Sequence, residues 1–146
     1  MHNSLLGSLW HKWDLHVHTP ASIVNYYGGD RDEVWDNFFS DIESLPKEFK
    51  VIGINDYIFV DGYRRVIDAH EKGRMKNIEL FLPVIALRID KFGQSGGKLS
   101  CVNYHVIFSN EVKVDDIQEQ FLNRLSTKHK LSPDSSECEV IAKEIV

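Results

Sequence analysis

The sequence has few cysteines, no long apolar run and no excess of basic residues. Its two cysteines, Cys101 and Cys138, stand far apart, which excludes a disulfide framework and leads us to expect a cytoplasmic protein. No apolar run approaches the ~18 residues that cross a bilayer, and residues 1–7 lack the features of a signal peptide, so no membrane partner is expected. With 17 basic against 22 acidic residues, the net charge of -5 disfavours a broad phosphate-binding surface.

The length and the overall composition are those of an ordinary globular protein. The chain has 146 residues, of which 42% are hydrophobic and 27% charged, and this length suits one domain at most. We predict three parts: a lead-in over residues 1–12, an α/β domain over 13–125, and a polar linker with a truncated next element over 126–146. The abrupt end leaves two origins open, a fragment of a larger protein or a short natural protein whose site has decayed.

Apolar runs of strand length alternate with amphipathic stretches along the chain. This alternation predicts a mainly parallel sheet with helices outside it. Trp10 and Trp13 are expected to pack, and Pro83 predicts an irregular or edge start to the third strand. The predicted strands cover residues 13–19, 51–55, 78–89 and 101–108, the predicted helices cover 30–45, 63–73 and 115–125, and a polar, Gly-rich loop is expected over 91–100.

The most informative stretch runs from Trp13 to Ser22 and carries His16 and His18. Residues two apart in a strand share a face, so both imidazoles should point the same way and away from the side of Val17. Pro20 ends the strand. Two imidazoles at the end of a strand suit a divalent ion such as Zn, Mn or Fe. The alternative for an isolated His-x-His is a pair of histidines on a solvated strand face.

Other polar residues follow the later strands. Asp56 comes directly after the second strand, and His105 lies in the fourth. Functional groups of parallel α/β folds collect at the carboxyl ends of strands, so these residues could converge with His16 and His18. Two alternatives stay open: Asp14 either orients a metal-bound histidine or caps a turn, and His105 alone could be an ordinary half-buried histidine.

The string from Trp13 to Ser22 resembles the first motif of the polymerase and histidinol phosphatase (PHP) superfamily of metal-dependent phosphoesterases. With the preceding Gly7 to Lys12, it is most similar to the N-terminal PHP-type domain of large ATPases linked to anti-phage defence. The resemblance covers about residues 8–125. It implies a partial, truncated version of the distorted β/α barrel of this family, in which metal ions lie at the strand ends.

The resemblance also implies roles for individual residues. His16, His18 and His105 match metal ligands of the family, and Asp56 keeps the acid of its second motif, as a ligand or a catalytic group. Tyr57 stands where that motif has a metal-binding histidine.

Ala86 stands where the third motif of the family has a Glu that bridges two ions. Arg88 would share a strand face with Ala86, and it either neutralises a phosphate or pairs with an acid such as Asp90. Because alanine cannot bind a metal, and because the last ligand pair of the family has no counterpart in this truncated version, we predict a phosphoesterase or nuclease domain that is inactive or weakly active.

The partners implied by the resemblance are a phosphoester substrate, such as a nucleic acid, and a C-terminal ATPase portion. Exposed sheet edges would also favour a homo-oligomer. The alternative function is a catalytically degenerate PHP-like module that binds a partner or nucleic acid without cleavage. A simple α/β domain with incidental histidines is a third interpretation.

Overall fold

The computed structural model describes the backbone of residues 10–23, 27–95 and 98–125, and the side chains of 10–23, 27–87 and 103–125. The predicted lead-in up to residue 9 and the predicted linker over 126–146 lie outside these residues. The strands are β1 (Lys12–Val17), β2 (Phe49–Ile54), β3 (Leu80–Ser95) and β4 (Lys98–Ile107), and the helices are α1 (Asp32–Glu43), α2 (Asp61–Glu71) and the short α3 (Val114–Asp116). A π turn at Ile117–Phe121 and a 3-10 turn at Leu122–Arg124 continue α3.

The four strands form one sheet in the order β1-β2-β3-β4. The pairs β1–β2 and β2–β3 are parallel, and the pair β3–β4 is antiparallel. The predicted α/β class with a mainly parallel sheet is therefore confirmed, and β1 and β4 are its two edge strands. A PHP-type barrel stays a prediction. None of the described helices is long and apolar enough to cross a membrane.

Two apolar clusters cover the sheet on its helical side. In α1, the predicted stripe at helical spacing is buried, and Trp35 and Phe38 pack with Ile52 and Ile54 of β2 and with Val66 of α2. A second cluster joins β3 to the segment that follows β4. Its buried members are Val60, Ile85, Ile117 and Leu122, with Leu87 and Val106 packed against them. The opposite side of the sheet is here called the inner face, and it carries buried apolar residues such as Val51 and Val84 as well as polar side chains.

The two N-terminal tryptophans do not pack as expected. Trp10 is 95% exposed and Trp13 is 60% exposed, so this expectation was wrong. Trp13 belongs to an edge strand, and no described element covers its ring. The helix starts also differ from the predictions. α1 begins at Asp32 instead of residue 30, and Asp30 accepts a hydrogen bond from Trp35 Nε1. α2 begins at Asp61 instead of residue 63.

Apart from residues 96–97, which lie outside the described ones, the predicted loop over 91–100 is instead part of an antiparallel hairpin. β3 extends to Ser95 and β4 begins at Lys98, with Gly93 paired to Ser100. An antiparallel ladder joins backbone groups, so a polar sequence can follow it where side-chain patterning gives no signal. Pro83 lies inside β3 and pairs with Ile54, where an irregular or edge start was expected. β4 pairs with β3 only from Val84 onward, so the missing N–H is tolerated there.

Candidate functional site

His16, in β1, and His18, directly after β1, lie on the inner face of the sheet. Val17 packs against the helical core, so its neighbours His16 and His18 face the other way, as the alternation predicts. Leu15 and His16 together lie opposite the single residue Gly53, which makes a β-bulge in β1. Bulges re-aim side chains next to functional sites, and this one falls beside His16.

The third histidine reaches the inner face from the other edge of the sheet. His105 of β4 lies directly opposite Ala86 of β3. Their neighbours Ile85, Leu87 and Val106 belong to the second apolar cluster, so His105 and Ala86 share the inner face. The small side chain of Ala86 is therefore the immediate neighbour of the His105 ring.

The three imidazoles meet, and we call His16, His18 and His105 the histidine cluster. The Nε2 atoms of His16 and His18 are 3.2 Å apart. The ring centroid of His16 is 5.0 Å from that of His18 and 4.9 Å from that of His105. The structure thus brings together all three histidines singled out in the sequence.

His18 is held by contacts on both sides of its ring. While Nε2 faces His16, Nδ1 lies 3.4 Å from the hydroxyl of Ser22 and 3.9 Å from Oδ1 of Asp56. Burial lowers the pKa of His18, and repulsion from His105 lowers this pKa further. The neutral ring is consequently favoured, and a neutral imidazole is the form that binds a metal.

Asp56 ties the end of β1 to the end of β2. Its carboxylate is 1% exposed, and it accepts hydrogen bonds from the backbone N–H of Thr19 (2.8 Å) and from the Thr19 hydroxyl (2.6 Å). Burial raises the pKa of Asp56, and the two bonds from Thr19 oppose that rise. The carboxylate therefore fixes the loop after His18, while its predicted roles as a metal ligand and a catalytic group stay predictions.

Gly62 makes this arrangement possible. It lies in the first turn of α2, and a Cβ at this position would overlap the Asp56 carboxylate and the Thr19 hydroxyl. In the sequence, an aspartate followed by a glycine indicates only a turn. Thr19 was not singled out in the sequence, because a threonine after a strand carries no signal for a partner 37 residues away.

Tyr57 packs on the histidine cluster. Its ring stacks on His18 with centroids 5.0 Å apart and an angle of 29° between the planes. The backbone of Tyr57 has φ 61, in the left-handed region that is uncommon for residues other than glycine. Its N–H donates to Oδ1 of Asn55, and its carbonyl accepts from the N–H of Ala86. Strained residues of this kind cluster at functional sites.

The remaining predicted residues are described only in part. Asp14 Oδ1 accepts a hydrogen bond from the backbone N–H of His16 at 3.1 Å, which favours the local capping alternative. Arg88 pairs with Asn103 in the β3–β4 ladder, and its side chain lies outside the described residues. Its predicted phosphate contact therefore stays a prediction.

The donor chemistry of the histidine cluster fits a transition metal. Two nitrogens bound to one tetrahedral zinc ion lie about 3.3 Å apart, given Zn–N bonds of ~2.0–2.1 Å. The Nε2 atoms of His16 and His18 are 3.2 Å apart, a separation that fits two ligands of one ion and equally fits a hydrogen bond between the two rings. Among the described side chains, however, no group of three His, Cys, Asp or Glu residues has a geometry that could hold a metal ion.

The chain was also compared with known proteins. No family model, curated protein or solved structure matches it.

Proposed function

We propose that the histidine cluster binds a divalent transition metal, and that the domain is a metal-dependent phosphoesterase or nuclease of PHP type with impaired activity. The observation that supports the proposal is the meeting of three imidazoles from the two edge strands of the sheet. Imidazole nitrogens are suitable ligands for Zn, Mn and Fe. The resemblance of the stretch from Trp13 to Ser22 to the first PHP motif supports the same class.

In this proposal, His16 and His18 hold the ion through their Nε2 atoms, and His105 contributes from β4. Asp56 and Ser22 lie beside Nδ1 of His18 and keep its Nε2 directed at His16. A bound divalent ion would supply positive charge to the phosphoryl oxygens and make a water molecule more acidic. The side chains of the protein bind and orient the ion, while burial and the nearby His105 favour the neutral form of His18 by lowering its pKa.

The impairment follows from Ala86 and Tyr57. The alanine lies opposite His105, where a carboxylate would complete the ligand set, and a methyl group cannot bind an ion. A neutral tyrosine is a poor ligand, and the Tyr57 ring is stacked on His18. For scale, loss of a group that only supports a metal ligand commonly costs about 10–100-fold in metal affinity or activity.

The wider context is also a proposal. The resemblance to N-terminal domains of anti-phage-defence ATPases favours a phosphodiester such as a nucleic acid as substrate, and an ATPase portion as a covalent partner. The isolated cysteines favour a cytoplasmic location. The two sheet edges would also permit a homo-oligomer.

Metal analysis of the purified protein tests the central claim. We expect the purified protein to bind zinc, manganese or iron, and this binding to be lost in His16→Ala. The matched control is His11→Ala, which removes an exposed histidine outside the histidine cluster. Equal metal content in His16→Ala and His11→Ala would contradict the proposal. Hydrolysis of bis-p-nitrophenyl phosphate should be slow in the wild type and absent in His16→Ala.

A catalytically degenerate binding module is the second candidate. Two observations favour it: Ala86 cannot bind a metal, and no three of the described His, Cys, Asp or Glu side chains form a group that could hold a metal ion. In that case the protein would be metal-free and folded, and His16→Ala would bind single-stranded nucleic acid as well as the wild type does.

A further inference from the structure

The side-chain amide of Asn55 is buried, and only one of its two polar atoms has a hydrogen-bond partner. Its side chain has no exposed area, and Oδ1 accepts a hydrogen bond from the N–H of Tyr57 at 3.3 Å. Its Nδ2 group is buried and has no hydrogen-bond partner, alone among the buried polar side-chain atoms of the described residues. A buried donor without an acceptor carries a penalty in folding, so such a group calls for an explanation.

The orientation of this amide is fixed by the turn that it forms. Tyr57 N–H needs an acceptor, so the oxygen of Asn55 must face it, and a flipped amide would set two donors against each other. This contact between a side-chain oxygen and an N–H two residues later stabilises the turn in which Tyr57 has φ 61. The oxygen alone is enough for this purpose, because Asp or Ser would also accept the Tyr57 N–H. The turn therefore does not explain the Nδ2 group.

The surroundings of Asn55 belong to the candidate site. Its backbone N–H donates to the carbonyl of Val17, the residue between His16 and His18, at 2.9 Å. Its neighbour Ile54 packs into the helical core, so the side chain of Asn55 belongs to the inner face, which also carries the histidine cluster. The next two residues then contact the site directly, through the Thr19 bonds of Asp56 and the stacking of Tyr57 on His18.

We propose that Asn55 is a substrate-binding residue whose Nδ2 group donates a hydrogen bond to a phosphoryl oxygen held beside the histidine cluster. This inference rests on the proposed function. A neutral amide suits the position, because it supplies a donor without adding a positive charge beside imidazoles and a cation. The ligand class is thus a phosphate or phosphoester, recognised by the ion on one side and by the amide on the other.

The test observes the donor itself by NMR. The side-chain NH2 signals of the full chain, labelled with nitrogen-15, are followed during titration with inorganic phosphate after one equivalent of zinc has been added. We expect the Asn55 signal to move with the same dissociation constant as the backbone signals of His16 and His18. The NH2 signals of Asn37, exposed on α1, and of Asn77, which donates to the Ile42 carbonyl, should not move.

Two outcomes separate this inference from the function on which it rests. If phosphate moves the His16 and His18 signals while the Asn55 signal stays still, the inference is wrong and the metal site stands. In that case a resident water satisfies Nδ2. If zinc itself moves none of the histidine signals, the proposed function fails, and the inference fails with it.

Two substitutions provide a second readout. Asn55→Asp and Asn55→Ser keep an acceptor for the Tyr57 N–H and remove the amide donor. We expect phosphate affinity of the zinc-loaded protein to fall about tenfold in both, by loss of a hydrogen bond to a charged ligand. Zinc affinity of Asn55→Ser should be unchanged. Asn37→Asp controls for the added charge, and wild-type phosphate affinity in both Asn55 variants would overturn the inference.

Discussion

The ring centroids of His16 and His105 are 4.9 Å apart, although the two residues belong to the opposite edge strands of the sheet. Across a flat sheet of four strands, the edges would be separated by about 14 Å. The sheet must therefore curl strongly towards its inner face. The site exists because of this curvature, so substitutions that oppose the curvature should affect stability and the histidine cluster together.

Gly53 is a position in the curled sheet that leaves no room for a side chain. It lies opposite the bulge of Leu15 and His16, and an added Cβ would lie 2.8 Å from both Leu15 Cα and Val84 Cγ2. We expect Gly53→Ala to lower the free energy of unfolding by about 1–3 kcal/mol, the usual cost of overpacking. Urea denaturation measures this change.

The control for Gly53→Ala is Gly29→Ala. A methyl group at Gly29 meets open space, so the cost there comes from the positive φ of 105 alone. A Gly53→Ala protein that unfolds at the wild-type urea concentration would show that the strands can relax around the added carbon.

Thr19 should matter for stability more than its position in a loop suggests. Thr19→Val removes the hydroxyl that donates to Asp56 at 2.6 Å and leaves part of a buried carboxylate unpaired. Since hydrogen bonds to charged groups contribute about 1.5–3 kcal/mol, we expect a loss of that size in the free energy of unfolding. Thr19→Ser retains the hydroxyl and should recover most of it. Equal stability of Thr19→Val and Thr19→Ser would contradict the role given to this bond.

Much of the fold could be predicted from the sequence, because local patterns determine it. The apolar stripe that contains Trp35 and Phe38 specifies the buried face of α1 without knowledge of its partners. The alternation around Val17 likewise places His16 and His18 on one face. These features depend on residues close in sequence, where spacing and side-chain type carry the information.

The features that were missed depend on contacts between distant residues. The closeness of Gly62 to Asp56 and Thr19 follows from the packing of α2 against two strand ends, and a glycine after an aspartate indicates only a turn. The exposure of Trp13 follows from the position of β1 at the sheet edge, which composition does not encode. The polar half of the hairpin is likewise specified by backbone pairing rather than by side chains.

The pKa of His18 predicts how the metal-free protein responds to acid. This pKa is lowered below the ordinary value of 6.5, so between the two values the unfolded chain binds a proton that the folded chain does not. The contribution of His18 to the free energy of unfolding is therefore fully present above about pH 6.5. It is lost as the pH falls below that value towards the lower pKa that His18 has in the folded state.

The measurement is the free energy of unfolding against pH after removal of metal with EDTA. We expect His18→Gln to flatten the decline below pH 6.5. His11→Gln is the matched control, since it removes an exposed imidazole outside the histidine cluster. An undiminished decline in His18→Gln would assign the acid sensitivity to another group.

Ala86→Glu tests whether the missing carboxylate is what weakens the site. Ala86 lies opposite His105 on the inner face, so a Glu there would bring a carboxylate beside the histidine cluster. We expect zinc or manganese affinity to rise about tenfold or more, on the scale of changes around metal ligands, and hydrolysis of bis-p-nitrophenyl phosphate to increase with it. Ala86→Gln has the same shape without the charge and should change neither. If Ala86→Glu binds metal no more tightly than Ala86→Gln, the histidine cluster is not the remainder of a carboxylate-bridged metal centre.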